Sequence, residues 1–303
     1  MRAVASLISA LAVVAGLSSP SPASPLVVVA PHPDDEVLIA AGTIARAVKA
    51  GERVSVIVLT NGDYTCARDG WRRQRESVDA LARLGVPEEA ITFLGYPDGY
   101  LGALGDVALP PVERRAADGR CLPGATTYGA RGHRHADEHT ARTGAPAPYT
   151  AHALVEDLAA ALARAGIGAA PARLVTTHAR DRHPDHAATY RFVRRALEQL
   201  PAPVDVELRR AIVHAGGCWP VVPCGGEAFH PTDALPALPA DYADLPPPTR
   251  PAIAPALRPE EKLALIGRFA SQLDLPLEHD WLAAFARTDE PYWPEHVVVS
   301  ARR

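Results

Sequence analysis

His32, Asp34, Asp35 and Glu36 fall within five residues, in the run Pro31-His32-Pro33-Asp34-Asp35-Glu36. Three acids and an imidazole this close repel one another unless a cation or solvent absorbs the charge, and a divalent metal does so well. His32 and Asp35 stand at i and i+3, so a tight turn brings both to one side and leaves Asp34 free to act on a bound water. The competing reading is a helix N-terminus, where Asp34, Asp35 and Glu36 merely complement the dipole. A second cluster, THARDRHPDH from Thr177 to His186, supplies His183 and His186. Alone, these two histidines read as surface residues. Beside the first cluster they complete a nitrogen-rich site with one carboxylate and an open position, which suits catalytic zinc.

Both clusters need rigid elements around them. Leu26, Val27, Val28 and Val29 form a continuous apolar run, the pattern of a strand buried on both faces of a parallel sheet. From Val37 onward, Leu38, Ala41, Ile44, Ala45 and Val48 recur at helical spacing. The second cluster is framed in the same way, by Leu174-Val175-Thr176 before it and by Ala187, Tyr190, Val193 and Leu197 after it. Each cluster therefore sits in a strand-to-helix turn, and such turns share the C-terminal edge of a parallel sheet. Val54 to Leu59, Ile91 to Leu94 and Asp205 to His214 predict further strands, and Trp71 to Leu84 a helix with Gly85 as its cap. The Asn61-Gly62 turn brings Asp63 near the same rim. The expected fold is α/β and Rossmann-like: a mostly parallel sheet with helices on both faces and the metal site at the C-terminal ends of the strands.

These residues resemble the PIG-L/LmbE-type metal-dependent N-deacetylases, which include N-acetylglucosaminyl-phosphatidylinositol deacetylase and deacetylases of the mycothiol and bacillithiol pathways. PHPDDE at Pro31 to Glu36 and HPDH at His183 to His186 carry the resemblance. Weaker agreement extends through LTNGD at Leu59 to Asp63, the stretch from Arg73 to Val86, FLGYPDG at Phe93 to Gly99, and EKLALIGRFASQL at Glu261 to Leu273. The resemblance implies that His32, Asp35 and His186 bind the metal, that Asp34 is the general base, and that His183 stabilises or protonates the reacting group. It also implies that Arg73 and Asp98 contact a sugar, that a tyrosine such as Tyr128 or Tyr149 assists at the carbonyl, and that the substrate is an N-acetylated amino sugar or its conjugate. Zinc is the expected cofactor, with Fe2+ or Mn2+ as alternatives. Two rival functions remain: a metal amidase acting on a thiol conjugate or another acylated amine, and an exported glycan-binding module without catalysis. The Asp34 and His183 pair argues against the second, because a binding module needs no spare base beside its ligands.

The 303 residues are 48% hydrophobic and 22% charged, which fits one soluble α/β domain with a sizeable core. A net charge of −4 provides no basic footprint for nucleic acid. Residues 1–23 combine Arg2, an apolar stretch from Ala3 to Leu17 and small residues ending at Ala23, the pattern of a secretory signal cleaved near Ala23. The apolar stretch is too short to span a bilayer, so stable membrane insertion is not expected. The expectation is a secreted or extracytoplasmic protein with one domain over residues 24–303. Export makes Cys66, Cys121, Cys218 and Cys224 candidates for two disulfides. Cys218 and Cys224 enclose only WPVVP and favour a local bridge, leaving Cys66 with Cys121 as the preferred pairing. A structural zinc site competes, but the paired close spacings it requires are absent.

Two stretches lack periodicity. Gly99 to Tyr149 is expected to be a loop over the metal site, and its His133, His135 and His139 read as a solvated polar segment more readily than as a second metal site. The Pro-rich segment from Cys218 to Pro259 is expected to wrap the surface, and Trp219 and His230 in it are ordinary packing or loop residues. Pro259 then opens a helix predicted to run to about Leu273, with Ser271-Gln272 near its end.

Overall fold

The structure is a computed structural model that describes residues 24–112, 124–129, 137–201, 203–273 and 278–300. The expected signal segment, Cys121, His133 and His135 lie outside the described residues.

Six strands form one sheet: β1 (Leu26–Ala30), β2 (Val54–Thr60), β3 (Ile91–Tyr96), β4 (Ala172–Thr177), β5 (Val204–Ala211) and β6 (Trp293–Val299). Their order is β3-β2-β1-β4-β5-β6, parallel throughout except for β6, which runs antiparallel to β5. All five residues of β1 are buried. Strand side chains alternate between faces, so Leu26, Val28 and Ala30 enter one core while Val27 and Val29 enter the other. Full burial of each valine contributes about 1.5–3 kcal/mol, and Val28→Asp would place an unpaired carboxylate in that core.

The helices are α1 (Asp35–Lys49), α2 (Ala67–Arg83), α3 (Glu138–Thr143), α4 (Ala151–Arg164), α5 (Pro184–Gln199), α6 (Pro259–Ile266), α7 (Ala270–Leu273) and α8 (Glu278–Ala283). Apolar residues of α1, α2 and α6 cover one face of the sheet, and those of α4 and α5 the other. The chain winds outward from β1 to β3, then returns to place β4 against β1, with Val28 paired to Val175. Because α1 leaves β1 on one face and α5 leaves β4 on the other, a crevice opens between the C-terminal ends of these two strands.

Several elements differ from the sequence reading. The helix expected from Pro259 to Leu273 is interrupted at 267–269, where Gly267 caps α6 and Phe269 drops into the core. The break lets Ser271 bond Glu76 of α2 through both its N–H, at 3.0 Å, and its hydroxyl. The strand expected to reach His214 leaves the ladder after Ala211, because the N–H groups of Val213 and His214 turn to Asp181 at 2.7 and 3.1 Å. Strand β6 and helix α8 were not anticipated. The stretch from Gly99 to Tyr149 holds α3 and sends Val112, Ala147 and Tyr149 into the core, so its described part is more ordered than a plain loop. His139 there bonds Asp157 at 2.9 Å. Cys218 and Cys224 form the expected disulfide, with Cα atoms 5.2 Å apart.

Candidate metal centre

The turn from β1 into α1 builds the first half of the site. Asp35 is the first residue of α1, and its Oδ2 accepts the backbone N–H of His32 at 3.1 Å, closing the turn. The same oxygen lies 3.1 Å from His32 Nδ1. The turn from β4 into α5 builds the second half. His183 caps α5, its Nδ1 accepting the N–H of Asp185 at 3.2 Å, and His186 lies one turn into the helix, fully buried. His186 Nε2 stands 3.2 Å from His32 Nδ1 and 3.3 Å from Asp35 Oδ2.

Three donor atoms, two nitrogens and one carboxylate oxygen, therefore converge with mutual separations of 3.1–3.3 Å. A tetrahedral zinc with ligands at about 2.0–2.2 Å keeps them about 3.3–3.5 Å apart, so the set fits a zinc-sized ion with little adjustment. The far side of each imidazole also faces carboxylates. His32 Nε2 lies 3.2 Å from both Asp98 and Asp185, and His186 Nδ1 lies 3.3 Å from Asp181. Such outer carboxylates orient metal-bound histidines and raise their basicity. His32, His183 and His186 form a further grouping able to hold an ion, as do His32, Asp98 and Asp185.

Charge points the same way. Asp34, Asp35, Glu36, Asp98, Asp181 and Asp185 are all buried here, and the one buried guanidinium among them is that of Arg73. Burial pulls the His186 imidazole down, but Asp35 and Asp181 outweigh it and push it up to about 9. Burial likewise opposes protonation of His32, yet Asp98, Asp185 and Asp35 hold it well above the ordinary value. The cluster thus draws positive charge to the point where the three donors meet.

Asp34 stands apart from these donors. Its φ of 145° is the one positive value at a non-glycine position among the described residues, a conformation that costs about 1–3 kcal/mol. The turn is held by Glu36, whose Oε2 accepts the Asp34 N–H at 3.0 Å while Oε1 accepts the Ser77 hydroxyl at 2.5 Å. Burial pushes the Asp34 carboxyl up to about 7 against the opposing charge of Arg73, and burial raises Glu36 to about 7 as well. His183 is pulled down to about 4 by burial and by the neighbouring His32 and His186, so it is neutral. With Nδ1 accepting the Asp185 N–H, its proton resides on Nε2.

Arg73 and Asp98, the expected sugar contacts, lie beside Asp34 and His32. Arg73 bonds Asp34 and Asp98, each at 3.0 Å. Asp98 is held below the usual carboxylate range by His32 and Arg73 despite its burial. Of the two tyrosines considered, Tyr149 is fully buried in the core, and the Tyr128 hydroxyl donates to Asp63 at 2.7 Å. The sequence reading missed Asp181, Asp185 and His214. Asp185 lies inside HPDH yet faces away from the three donors, accepting the N–H groups of Gly99 and Leu101 at 2.7 and 2.9 Å.

The sequence profile of the family described as PIG-L: GlcNAc-PI de-N-acetylase matches residues 27–197, more than half of the chain. The chain belongs to the PIG-L family. It is accordingly a metal-dependent N-deacetylase, and the PIG-L match spans both turns of the site. Two solved structures align with most of this chain. N,N'-diacetylchitobiose deacetylase from Pyrococcus horikoshii aligns over 90% of this chain and 84% of its own, with 15% identity and a TM-score of 0.50. The zinc-inhibited form of teicoplanin deacetylase aligns over 92% of this chain and 100% of its own, with 20% identity and a TM-score of 0.49. Comparison with curated protein sequences finds no match.

Proposed function

We propose that the protein is a zinc-dependent hydrolase that removes the N-acetyl group from an N-acetylglucosamine-type sugar or its conjugate. The observation that carries this reading is the convergence of His32 Nδ1, Asp35 Oδ2 and His186 Nε2 within 3.1–3.3 Å of one another, beside a carboxylate that is not one of them. These three residues would hold the ion. When bound, zinc supplies an acidified water, with a pKa lowered towards about 7, and a Lewis acid for the amide carbonyl.

The rest is done by side chains. Asp34 takes the proton of the attacking water, and its carboxyl at about 7 suits a group that must first accept and then release a proton. It then hands that proton to the departing amine. His183, neutral with its proton on Nε2, donates a hydrogen bond to the oxygen that gains charge in the transition state. Arg73 keeps Asp34 in place and, with Asp98, forms the floor on which the sugar rests.

The sugar class follows from the family, and the acetylated saccharide in the description of the Pyrococcus horikoshii neighbour agrees with it. The signal-like N-terminus supports action outside the cytoplasm, with the substrate a glycan or small glycoside. Among the described residues no helix is long and apolar enough to cross a membrane. The test is acetate release from N-acetylglucosamine and from its glycosides, before and after chelation and after restoration with Zn2+, Fe2+ or Mn2+. Release that chelation does not diminish would refute the reading, as would hydrolysis confined to amides that carry no sugar.

A further inference from the structure

A Pro-rich segment, Leu235 to Pro248, roofs a cavity of about 240 Å³ whose floor includes Leu38 and Ile39 of α1 and Ile212 just past β5. None of His32, Asp34, Asp35, His183 and His186 lines it, and the roof lies beyond the residues 27–197 matched by the family profile. Protein interiors hold few voids larger than a water molecule, so a space of this size needs something to keep it open.

Hydrogen bonds do so at both ends of the roof. The Trp219 indole N–H donates to Pro236 O at 3.2 Å, and that of Trp293 donates to Pro246 O at 2.8 Å. Both indoles also line the cavity, so each is wall and prop together. The Leu235 N–H donates to Asp289 at 2.6 Å, and Arg250, itself 2.6 Å from Asp289, donates to Leu235 O. In mid-roof the Tyr242 hydroxyl donates to Arg180 O at 3.0 Å. Between these points the fixed φ of five prolines stiffens the backbone against folding inward. Ala237, Ala240 and Ala243 line the cavity and are exposed, which leaves a way in from solvent between small side chains.

The lining selects the occupant. Its four charged side chains are paired within the wall, Lys262 with Glu290 at 3.0 Å and Arg250 with Asp289 at 2.6 Å. A charged ligand would have to break into one of these pairs, so a neutral one is favoured. Trp219, Tyr242, Phe285 and Trp293 supply aromatic faces and edges, the surfaces against which another ring packs best. A rigid ring also gives up fewer rotamers on entering a stiff cavity than a flexible chain of the same size. An apolar cavity of about 150 Å³ takes benzene, so 240 Å³ accommodates roughly two fused rings.

We propose that this cavity binds a small neutral aromatic molecule of one or two fused rings, at a site separate from the metal centre. The proposal does not depend on which amide the metal centre hydrolyses.

Indole is the probe. Calorimetry on the zinc-loaded native protein should give one indole bound per chain, with a Kd on the order of 0.1 mM. In Leu238→Trp and Leu245→Trp a larger side chain enters from half-buried roof positions, and each folded variant is expected to bind about tenfold more weakly or worse. A second measurement needs no substitution. In isotope-labelled native protein, indole should shift the side-chain N–H signals of Trp219 and Trp293 and leave that of Trp71, which does not line the cavity, in place. No heat of binding at millimolar indole, shifts confined to Trp71, or undiminished affinity in a folded roof variant overturns the site. 1-Hexanol binding as tightly as indole overturns the aromatic assignment, and benzoate competing on equal terms overturns the neutral one. Chelating the metal should leave indole affinity unchanged, and loss of binding on chelation would overturn the separation from the metal centre. Acetate release enters none of these measurements, so a failure here leaves the deacetylase reading standing.

Discussion

Arg73 donates from Nη2 to Oδ2 of Asp34 at 3.0 Å, although the two residues are separated by two elements of the chain and both are buried. The same guanidinium reaches Asp98 through Nη1, so one cation restrains the proposed base and Asp98 together. Arg73 is also the charge that opposes the rise of the Asp34 carboxyl to about 7. Removing it raises that carboxyl further, leaving less of the deprotonated form at neutral pH. Arg73→Met is expected to move the acid limb of the kcat profile to higher pH, to lower kcat at pH 7 by about tenfold or more, and to lower stability by about 3–5 kcal/mol in urea unfolding. Arg73→Lys keeps the charge without the fork and should fall between. An unmoved acid limb in Arg73→Met would show that Asp34 is not the base.

Metal binding and base catalysis are assigned to adjacent residues. Asp35→Ala or His186→Ala should lose much of the metal, because each removes one of three protein ligands. Asp34→Ala should keep near-stoichiometric metal while turnover falls by roughly 10²-fold or more. His183→Ala should behave like Asp34→Ala. Elemental analysis beside deacetylation rates for the four variants checks the division, and loss of metal from Asp34→Ala would contradict it.

Glu36 acts on Asp34 through the backbone. Glu36→Gln retains an acceptor oxygen for the Asp34 N–H and should remain close to the native rate. Glu36→Leu leaves that N–H unpaired in a strained turn, costing about 1–3 kcal/mol. Its kcat should fall with KM and metal content little changed. If both variants lose activity equally, the hydrogen bond is not what positions Asp34.

His178 provides a pH signature remote from the three donors. Burial, aided by the charge of Arg210, pulls its imidazole down to about 4, below the unfolded value of about 6.5. The folded state then resists a proton that the unfolded state accepts. The resulting stability is complete above about pH 6.5 and is lost as pH falls towards 4. Its Nδ1 accepts the Arg180 N–H at 3.0 Å, a role that an asparagine oxygen can take over. Urea unfolding of the native protein should lose about 1–2 kcal/mol more than His178→Asn across that window, after allowance for solvent screening. Parallel curves would exclude His178 as the source.

Export predicts two disulfides. Intact-mass measurement of the secreted protein should give a start near Ser24 and four fewer hydrogens than the reduced form. A mass showing free thiols at Cys66 and Cys121 would restrict the prediction to the Cys218–Cys224 bond.

Much of the site could be read from local pattern, because its key relations are local. A buried strand ending at a proline fixes where the β1 turn falls, and the three-residue step from His32 to Asp35 suffices to bring Nδ1 and Oδ2 within 3.1 Å. The same pattern after β4 presents His183 and His186. Short apolar runs and helices of period 3.6 likewise predicted β1 to β5 and most of the large helices. What sequence order does not encode is contact between distant segments. The antiparallel β6 exists because β5 offers it an edge, and the interruption between α6 and α7 because Ser271 must meet Glu76. Arg73 closing on Asp34, Asp185 turning to the N–H groups of Gly99 and Leu101, and His214 stacking on Trp281 each join elements with no shared periodicity. Residue spacing was enough to place the candidate ligands, whereas the neighbours that tune their charge follow from long-range packing.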